Sequence, residues 1–224
     1  MTESHTSSGA PAPEEALAPQ VATLILVRHG QTASTGKILP GRTPGLHLSE
    51  QGLEQARQVV TALEPLEKIA AIYSSPLERA LETAAPLSEA RALELRHDAR
   101  LVECDFGSWT GREIEELVKL PAWQVIRSVP SRFRFPEGEA FTDMAARMAS
   151  FLNHVGREHA GETVVAFSHA DPIKAAVAFA LGLHVDGMQR IIISTASLSG
   201  ISLAPGESYA LFVNSNPRLN LQVS

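Results

Sequence analysis

Two short apolar runs, far apart in the chain, both end at a histidine. Residues 23–27 (Thr-Leu-Ile-Leu-Val) lead through an arginine into His29, and residues 163–167 (Thr-Val-Val-Ala-Phe) lead through a serine into His169. Unbroken apolar runs of this length, rich in β-branched residues, are typical of strands buried on both faces of a parallel sheet. Because ligands of open α/β sheets bind beyond the carboxyl ends of the strands, the pattern places both imidazoles where chemistry is delivered.

Between and after these runs, apolar residues recur alternately at strand and helix spacing. Ser49, followed by an acidic residue, is a typical helix N-cap. The alternation predicts an α/β fold: a three-layer arrangement with a mostly parallel central sheet and helices on both faces. The predicted helices are 49–63, 76–84, 142–154 and 171–182, and the further predicted strands are 69–73, 93–96, 194–203 and 209–213.

The chain divides into a tail, one domain and an insertion. Residues 1–20 are rich in Ser, Thr, Ala, Pro and Glu, which predicts a disordered N-terminal tail, and 21–224 are expected to form a single domain. Within that domain, the segment at about 105–141 lacks a clean period and is interpreted as a lid insertion that contributes substrate contacts. A solvated loop that packs its own aromatic residues remains the alternative. The lid candidates are Arg127, Arg132, Phe133, Arg134 and Phe135.

Charge and cysteine content exclude several classes of function. The 224 residues carry a formal net charge of −6, whereas general nucleic-acid binding needs a basic face. No segment is apolar and long enough to predict a membrane span. Cys104 is the only cysteine, so no disulfide can form within the chain and a cytoplasmic location is expected. Cys104 itself has no neighbouring base that would predict a reactive thiol.

Five side chains are candidates for one anion site. If the two histidine-terminated strands are neighbours, His29 and His169 emerge at the same edge of the sheet, and Arg28 and Arg79 converge there, with Glu103 entering from the side. Guanidinium groups suit phosphate or carboxylate. Burial in an apolar mouth would raise the pKa of the acid toward that of a proton donor. The alternative for an isolated Arg-His-Gly is a solvated strand end.

Other ligands find less support in the sequence. Arg42, in the loop after the first strand, is a second candidate anion contact. Histidine pairs at the spacing of a zinc site and cysteine pairs are both absent, and the arginines would repel a divalent cation. No Walker-type phosphate loop is present either. The sequence therefore predicts neither a metal nor a cofactor.

These residues resemble the motifs of the histidine phosphatase (phosphoglycerate mutase-like) superfamily. The matching segments run in the family's order from about residue 23 to 183. They are 26–32 (Leu-Val-Arg-His-Gly-Gln-Thr), 41–43 with 48–52, 74–84, 101–103 with 107–111, 135–139 and 167–169.

The resemblance implies a role for each matching position. His29 would attack phosphorus and carry the phosphoryl group, while Arg28, Arg79 and His169 would bind its equatorial oxygens. Glu103 would protonate the leaving oxygen and then assist water. The further substrate contacts implied are Gln31, Thr35, Arg42 and Ala170.

Departures from the family pattern favour a phosphatase over a mutase. Phe106 stands where the glycolytic mutases tend to carry tyrosine, and Ile114 falls near their substrate-binding lysine. We therefore expect a cofactor-independent phosphomonoesterase that acts on a phosphorylated small molecule. A phosphoglycerate mutase and a non-catalytic, phosphate-ester-binding regulatory protein are the alternatives. A homodimer is left open, because the late strand at 197–203 is either a free edge or an interface.

Overall fold

A single six-stranded sheet organises the chain. The computed structural model describes residues 20–216. The predicted disordered tail, except for its last residue, lies outside the described residues. The strands are β1 (Ala22–Arg28), β2 (Ala71–Ser74), β3 (Leu95–His97), β4 (Thr163–Ser168), β5 (Leu198–Ala204) and β6 (Glu207–Ser215). Their order across the sheet is β3-β2-β4-β1-β5-β6. The pairs β3–β2, β2–β4 and β4–β1 are parallel, while β5 and β6 add an antiparallel end.

Helices cover both faces of this sheet. They are α1 (Glu50–Leu63), α2 (Glu78–Arg91), α3 (Ile114–Leu117), α4 (Pro121–Ser128), α5 (Phe141–Glu158) and α6 (Ala170–Ala180). Successive side chains of a strand point to opposite faces. Leu24 and Leu26 accordingly join a core with α5 and α6, whereas Ile25 and Val27 join a second core with α1 and α2. The predicted three-layer α/β architecture is confirmed.

Most predicted elements are present, with shifted ends. Ser49 caps α1 as predicted, because its side chain accepts a hydrogen bond from the Gly52 N–H. The third strand begins at Leu95 rather than at residue 93, because α2 continues to Arg91 and ends at a left-handed residue, Ala92. Helix α5 runs four residues beyond its predicted end at 154.

The prediction for the last strands needs two corrections. β5 starts at Leu198 rather than at 194, because residues 194–197 form a turn in which the Ala196 N–H donates to the Arg28 and His29 carbonyls. The strand at 197–203 is neither a free edge nor an interface, since β5 pairs with β1 on one side and β6 on the other. The strands at the sheet edges are β3 and β6.

The predicted lid segment is a set of short helices and turns. It contains α3, α4 and two 3-10 turns at Gly107–Trp109 and Pro130–Arg132. Pro121 stands at the first turn of α4, where its missing N–H costs nothing. Aromatic rings pack the segment together, since Phe135 lies within 5.6 Å of the ring centroids of Phe106 and Trp109. The alternative, a loop that packs its own aromatic residues, expects the same ring contacts, and α3 and α4 show that the segment also contains regular structure.

No helix among residues 20–216 is long and apolar enough to cross a membrane.

Candidate active site

The two histidines that end the apolar runs lie side by side. β1 and β4 are parallel neighbours whose register pairs Arg28 with Ser168, so the next residue of each strand leaves the sheet at the same edge. The ring centroids of His29 and His169 are 5.1 Å apart, with the ring planes at 57°. Both rings are buried. The prediction that the two imidazoles meet at one sheet edge is confirmed.

His29 is held as a neutral ring with one free nitrogen. Its Nδ1 lies 2.7 Å from the Gly30 carbonyl oxygen. Because a carbonyl can only accept, Nδ1 carries the proton and Nε2 keeps its lone pair. Burial, together with the positive charges of Arg79 and Arg28, lowers the pKa of His29 to about 3. The ring therefore remains unprotonated at neutral pH, as a nitrogen nucleophile must be.

The loop that carries His29 packs closely against the first turn of α1 and is hydrogen-bonded to α2. A Cβ at Gly30 would lie 2.7 Å from the Gly52 carbonyl oxygen in the first turn of α1, and a Cβ at Gly52 would collide with the Gln31 carbonyl. Gly30 also donates its N–H to Thr83 Oγ1 at 2.9 Å on α2. Gly30 thus serves the packing of its own loop. Thr83 was given no role from the sequence.

Both arginines present buried donors that have no protein partner. Arg28 donates from NH1 to the Ile193 carbonyl at 2.6 Å, and Arg79 from NH2 to the Gly41 carbonyl at 2.8 Å. Arg28 Nε, Arg79 Nε and Arg79 NH1 are buried without a hydrogen bond in the described structure. Burial lowers the pKa of each guanidinium, yet both remain cationic at neutral pH. Buried charge of this kind is costly unless an anion compensates it.

His169 adds a fourth donor to this group. Its Nε2 lies 2.8 Å from Ser75 Oγ, and we assign the hydroxyl proton to Nε2 because Ser75 Oγ has no other acceptor within residues 20–216. The proton of the neutral ring then stands on Nδ1, which is buried and has no partner among the described residues. Burial and the charge of Arg79 hold the pKa of His169 well below its usual value. The ring is a hydrogen-bond donor without a charge of its own.

Glu103 supplies an acid whose pKa lies near neutrality. Its side chain is buried, and Oε1 accepts a hydrogen bond from the Cys104 N–H at 2.9 Å. Burial, followed by the negative charge of Asp171, raises the pKa of Glu103 to about 7. The pKa of Glu103 is shifted in the predicted direction, but the contribution of the Asp171 charge was not predicted. Trp109, six residues further along the chain, packs against Phe133 in the lid segment.

The backbone of Glu103 is held by an ion-pair network at the edge of the site. Its carbonyl accepts from Arg42 Nε at 2.9 Å and from Arg147 NH2 at 3.2 Å. Both arginines also pair with Glu139, at 3.0 Å for Arg42 and 2.8 Å for Arg147. Arg42, predicted to contact substrate, is therefore engaged by protein groups and lies outside the lining of the cavity. Arg147 and Glu139 were not assigned any role from the sequence.

A cavity of about 270 Å³ opens at the strand ends. Its lining includes Arg28, His29, Glu103 and two predicted substrate contacts, Thr35 and Ala170. The lid segment contributes further residues: Phe106, Ile114, Trp123, Ile126, Arg127, Phe135 and Phe141. The sequence did not predict Trp123 and Ile126 as contacts, because the lid candidates are arginines and phenylalanines and the apolar side chains of α4 had no predicted role.

Several predicted residues lie away from this lining. Gln31 acts through its backbone, since its N–H donates to Gln55 Oε1 and its carbonyl accepts from Ser49. Arg134 is on the outside of the lid segment, paired with Asp143 at 2.6 Å. Arg132 and Phe133 are also absent from the lining. Of the lid candidates, Arg127 and Phe135 face the cavity.

Three hydrogen-bonded polar side chains line the cavity on the side of α6. Lys174 Nζ lies 3.0 Å from Asp171 Oδ1 and 3.1 Å from Gln189 Oε1, and all three residues line the cavity. The sequence indicated only that α6 starts near Asp171. The pairing leaves this side of the cavity polar but electrically balanced.

The chain matches the histidine phosphatase superfamily, branch 1, over residues 24–216. The chain belongs to this superfamily. It is 33% identical over 196 residues to phosphoserine phosphatase 1 of Hydrogenobacter thermophilus, which covers 85% of this chain and 91% of that protein. Several mycobacterial relatives are longer, and the chain spans 53% of their length.

Solved structures of this superfamily have the same fold. Bacillus stearothermophilus YhfR superposes with a TM-score of 0.79 at 27% identity, covering 87% of this chain and 97% of that one. A mycobacterial glucosyl-3-phosphoglycerate phosphatase gives a TM-score of 0.75 at 27% identity, covering 87% and 99%. Membership and these relatives support phosphatase activity for the chain, as the sequence predicted.

Proposed function

We propose that this chain is a phosphomonoesterase that hydrolyses a phosphorylated small molecule through a phosphohistidine at His29. The observation that carries the proposal is a set of four buried donor atoms on Arg28, Arg79 and His169 that have no hydrogen-bond partner within residues 20–216 and lie beside the neutral His29 ring. A phosphoryl group is the anion whose equatorial oxygens would use these donors. Phosphoryl transfer is catalysed chiefly by such positioning and charge stabilisation.

In the first step, His29 Nε2 attacks phosphorus while the bond from phosphorus to the ester oxygen breaks. Charge develops on the equatorial oxygens, which the two guanidinium groups and His169 Nδ1 stabilise. The leaving oxygen takes the carboxyl proton of Glu103, which at a pKa of about 7 is partly protonated at neutral pH. The products of this step are a neutral alcohol, a phosphohistidine and a carboxylate.

In the second step, water attacks phosphorus and gives a proton to the carboxylate of Glu103. The bond from phosphorus to Nε2 breaks, and inorganic phosphate is released. His29 returns to its neutral form with Nδ1 still bonded to the Gly30 carbonyl, so the cycle closes without a net proton change at the enzyme. The hydrogen bond at 2.7 Å keeps the ring in one orientation through both steps.

Trapping of the intermediate tests this mechanism. The protein is mixed with radiolabelled phosphate ester, quenched in alkali and digested, and the label is mapped. We expect it on His29, and His29→Ala should have neither label nor turnover of p-nitrophenyl phosphate. His97→Asn is the matched control, because His97 is exposed on β3. A label on any other residue, or turnover in His29→Ala, would contradict the nucleophile assignment.

The alternative functions are separable by simple assays. Conversion of 3-phosphoglycerate with and without a bisphosphoglycerate primer would reveal a mutase, and Phe106 and Ile114 in the cavity wall disfavour it. Phosphate binding without any turnover would indicate a regulatory protein.

The proposal extends to the organisation of the chain. We place the catalytic domain at 21–224, with the segment at about 105–141 as its lid and with substrate contacts at Thr35 and Ala170, the two predicted contacts that line the cavity. The net charge of −6 and the single cysteine support a cytoplasmic enzyme without nucleic-acid partners. A homodimer would use the sheet edge at β6, whose outward residues include Tyr209 and Leu211, and sedimentation of the purified chain tests this.

A further inference from the structure

The part of the cavity beyond the phosphate-binding groups is lined mainly by apolar side chains. Five of them form what we call the apolar wall: Ile38, Leu39, Ile114, Trp123 and Ile126. Four of the five are only half-buried, because they border the cavity, while Ile126 is buried. Leaving apolar surface open to water costs free energy, which a bound apolar group would recover at about 25 cal/mol per Å².

The charged residues of the same region offer a ligand no free negative charge. Asp171 and Lys174 neutralise each other at 3.0 Å, and Gln189 takes a further proton of the ammonium group at 3.1 Å. Arg127 is exposed and lines the cavity, so it is the one cation of this region left for a substrate carboxylate among the described residues. A leaving group that also carries an ammonium, such as that of phosphoserine, would lose the hydration of that charge and find its nearest carboxylate, Asp171, already paired with Lys174.

We propose that the preferred substrates of this chain are phosphate monoesters of apolar alcohols, with the alcohol seated on the apolar wall. This inference rests on the function proposed above, because the phosphoryl group must be held at His29 for the leaving group to reach the wall. The cavity volume of about 270 Å³ suits one ring or a short chain rather than a polymer end. Trp123 offers the largest apolar face and is the principal specificity-determining residue.

A homologous series of substrates separates this preference from leaving-group chemistry. Ethyl, butyl and hexyl phosphate release primary alcohols of nearly equal acidity, so differences in kcat/KM report contacts of the alkyl chain. We expect kcat/KM to rise by about two- to fourfold per added methylene, up to the value that corresponds to about 0.8 kcal/mol per buried CH₂. O-phosphoserine should be hydrolysed less efficiently than butyl phosphate.

Variants of the wall should change the slope of this series. Trp123→Ala should flatten the dependence on chain length, Trp123→Phe should keep most of it, and Ile114→Ala is a second test should the first variant fail to fold. Val118→Ala, an exposed position outside the cavity, is the matched control and should leave the slope unchanged. Turnover of p-nitrophenyl phosphate and urea unfolding establish that each variant is folded.

The outcomes distinguish the two proposals. If all esters are hydrolysed through His29 but the series is flat, or if O-phosphoserine is preferred, the apolar-alcohol assignment is wrong and the phosphatase assignment stands. If the slope survives Trp123→Ala and Ile114→Ala alike, the wall is not the site of the alcohol. If no ester is hydrolysed and no phosphohistidine forms, the proposed function itself fails.

Discussion

Removal of the Glu103 carboxyl is the perturbation that tests the mechanism most directly. With a pKa of about 7, the group is about half protonated at pH 7 and about 1% protonated at pH 9. Phosphate monoesters lose their second proton at a pKa of about 6, so the substrate stays a dianion across this range. For an alkyl phosphate, kcat/KM should therefore fall about 50-fold between pH 7 and 9, because an alkoxide leaves poorly without a proton.

Glu103→Gln should abolish this alkaline decline and lower kcat/KM at pH 7 by about 10²- to 10⁴-fold on alkyl phosphates. The loss should be much smaller on p-nitrophenyl phosphate, whose leaving group needs no proton. Glu94→Gln, at an exposed carboxyl, is the control. Equal losses on alkyl and aryl esters, or an alkaline decline that persists in Glu103→Gln, would refute the assignment of Glu103 as the acid.

Three further perturbations test the supports of the site. Asp171→Asn should move the alkaline decline to lower pH, because the Asp171 charge helps to raise the pKa of Glu103; an unmoved kcat/KM profile would contradict this. Thr83→Val should cost about 1–3 kcal/mol in urea unfolding by stranding the Gly30 N–H, while Thr83→Ser keeps that bond; equal losses would argue against it. The pKa of His29 is lowered to about 3, so the unfolded chain binds a proton that the folded chain rejects, and stability is lost as pH falls below 6.5. The free energy of unfolding should fall between pH 8 and pH 5, and this fall should be about 2 kcal/mol smaller in His29→Asn than in the unmodified chain. An equal fall in both proteins would show that the pKa of His29 is not lowered in this way.

The strand pattern predicted the centre of the site because the apolar run in the sequence and the position of its strand inside the sheet point to the same residues. An apolar run that is buried on both faces must lie inside a sheet, and its end is the first point at which a polar side chain can leave. This reasoning located His29 and His169. The strand–helix alternation predicted a mostly parallel sheet, but that the two strands are neighbours was an assumption, and only the structure shows their pairing. The bounds of β5 were not predictable in the same way, since the turn before it is fixed by hydrogen bonds to residues about 170 positions earlier.

Supports of the site escaped prediction because they depend on contacts between distant segments. Arg147 is one polar residue of a long amphipathic helix, and nothing in its spacing indicates that it reaches Glu139 and the carbonyl of Glu103. Arg42 was recognised as a cation, but its partners are three acidic or carbonyl groups from other parts of the chain. Its prediction as a substrate contact assumed that a loop arginine near the site has no closer anion.

The close backbone approach between Gly30 and Gly52 ties the position of the nucleophile His29 to the docking of α1. Two main chains in direct contact leave no side chain that could rotate away, so a movement of α1 would also move the loop that carries His29. We therefore expect undocking of α1 to abolish turnover, so that activity and helix docking are lost together on heating.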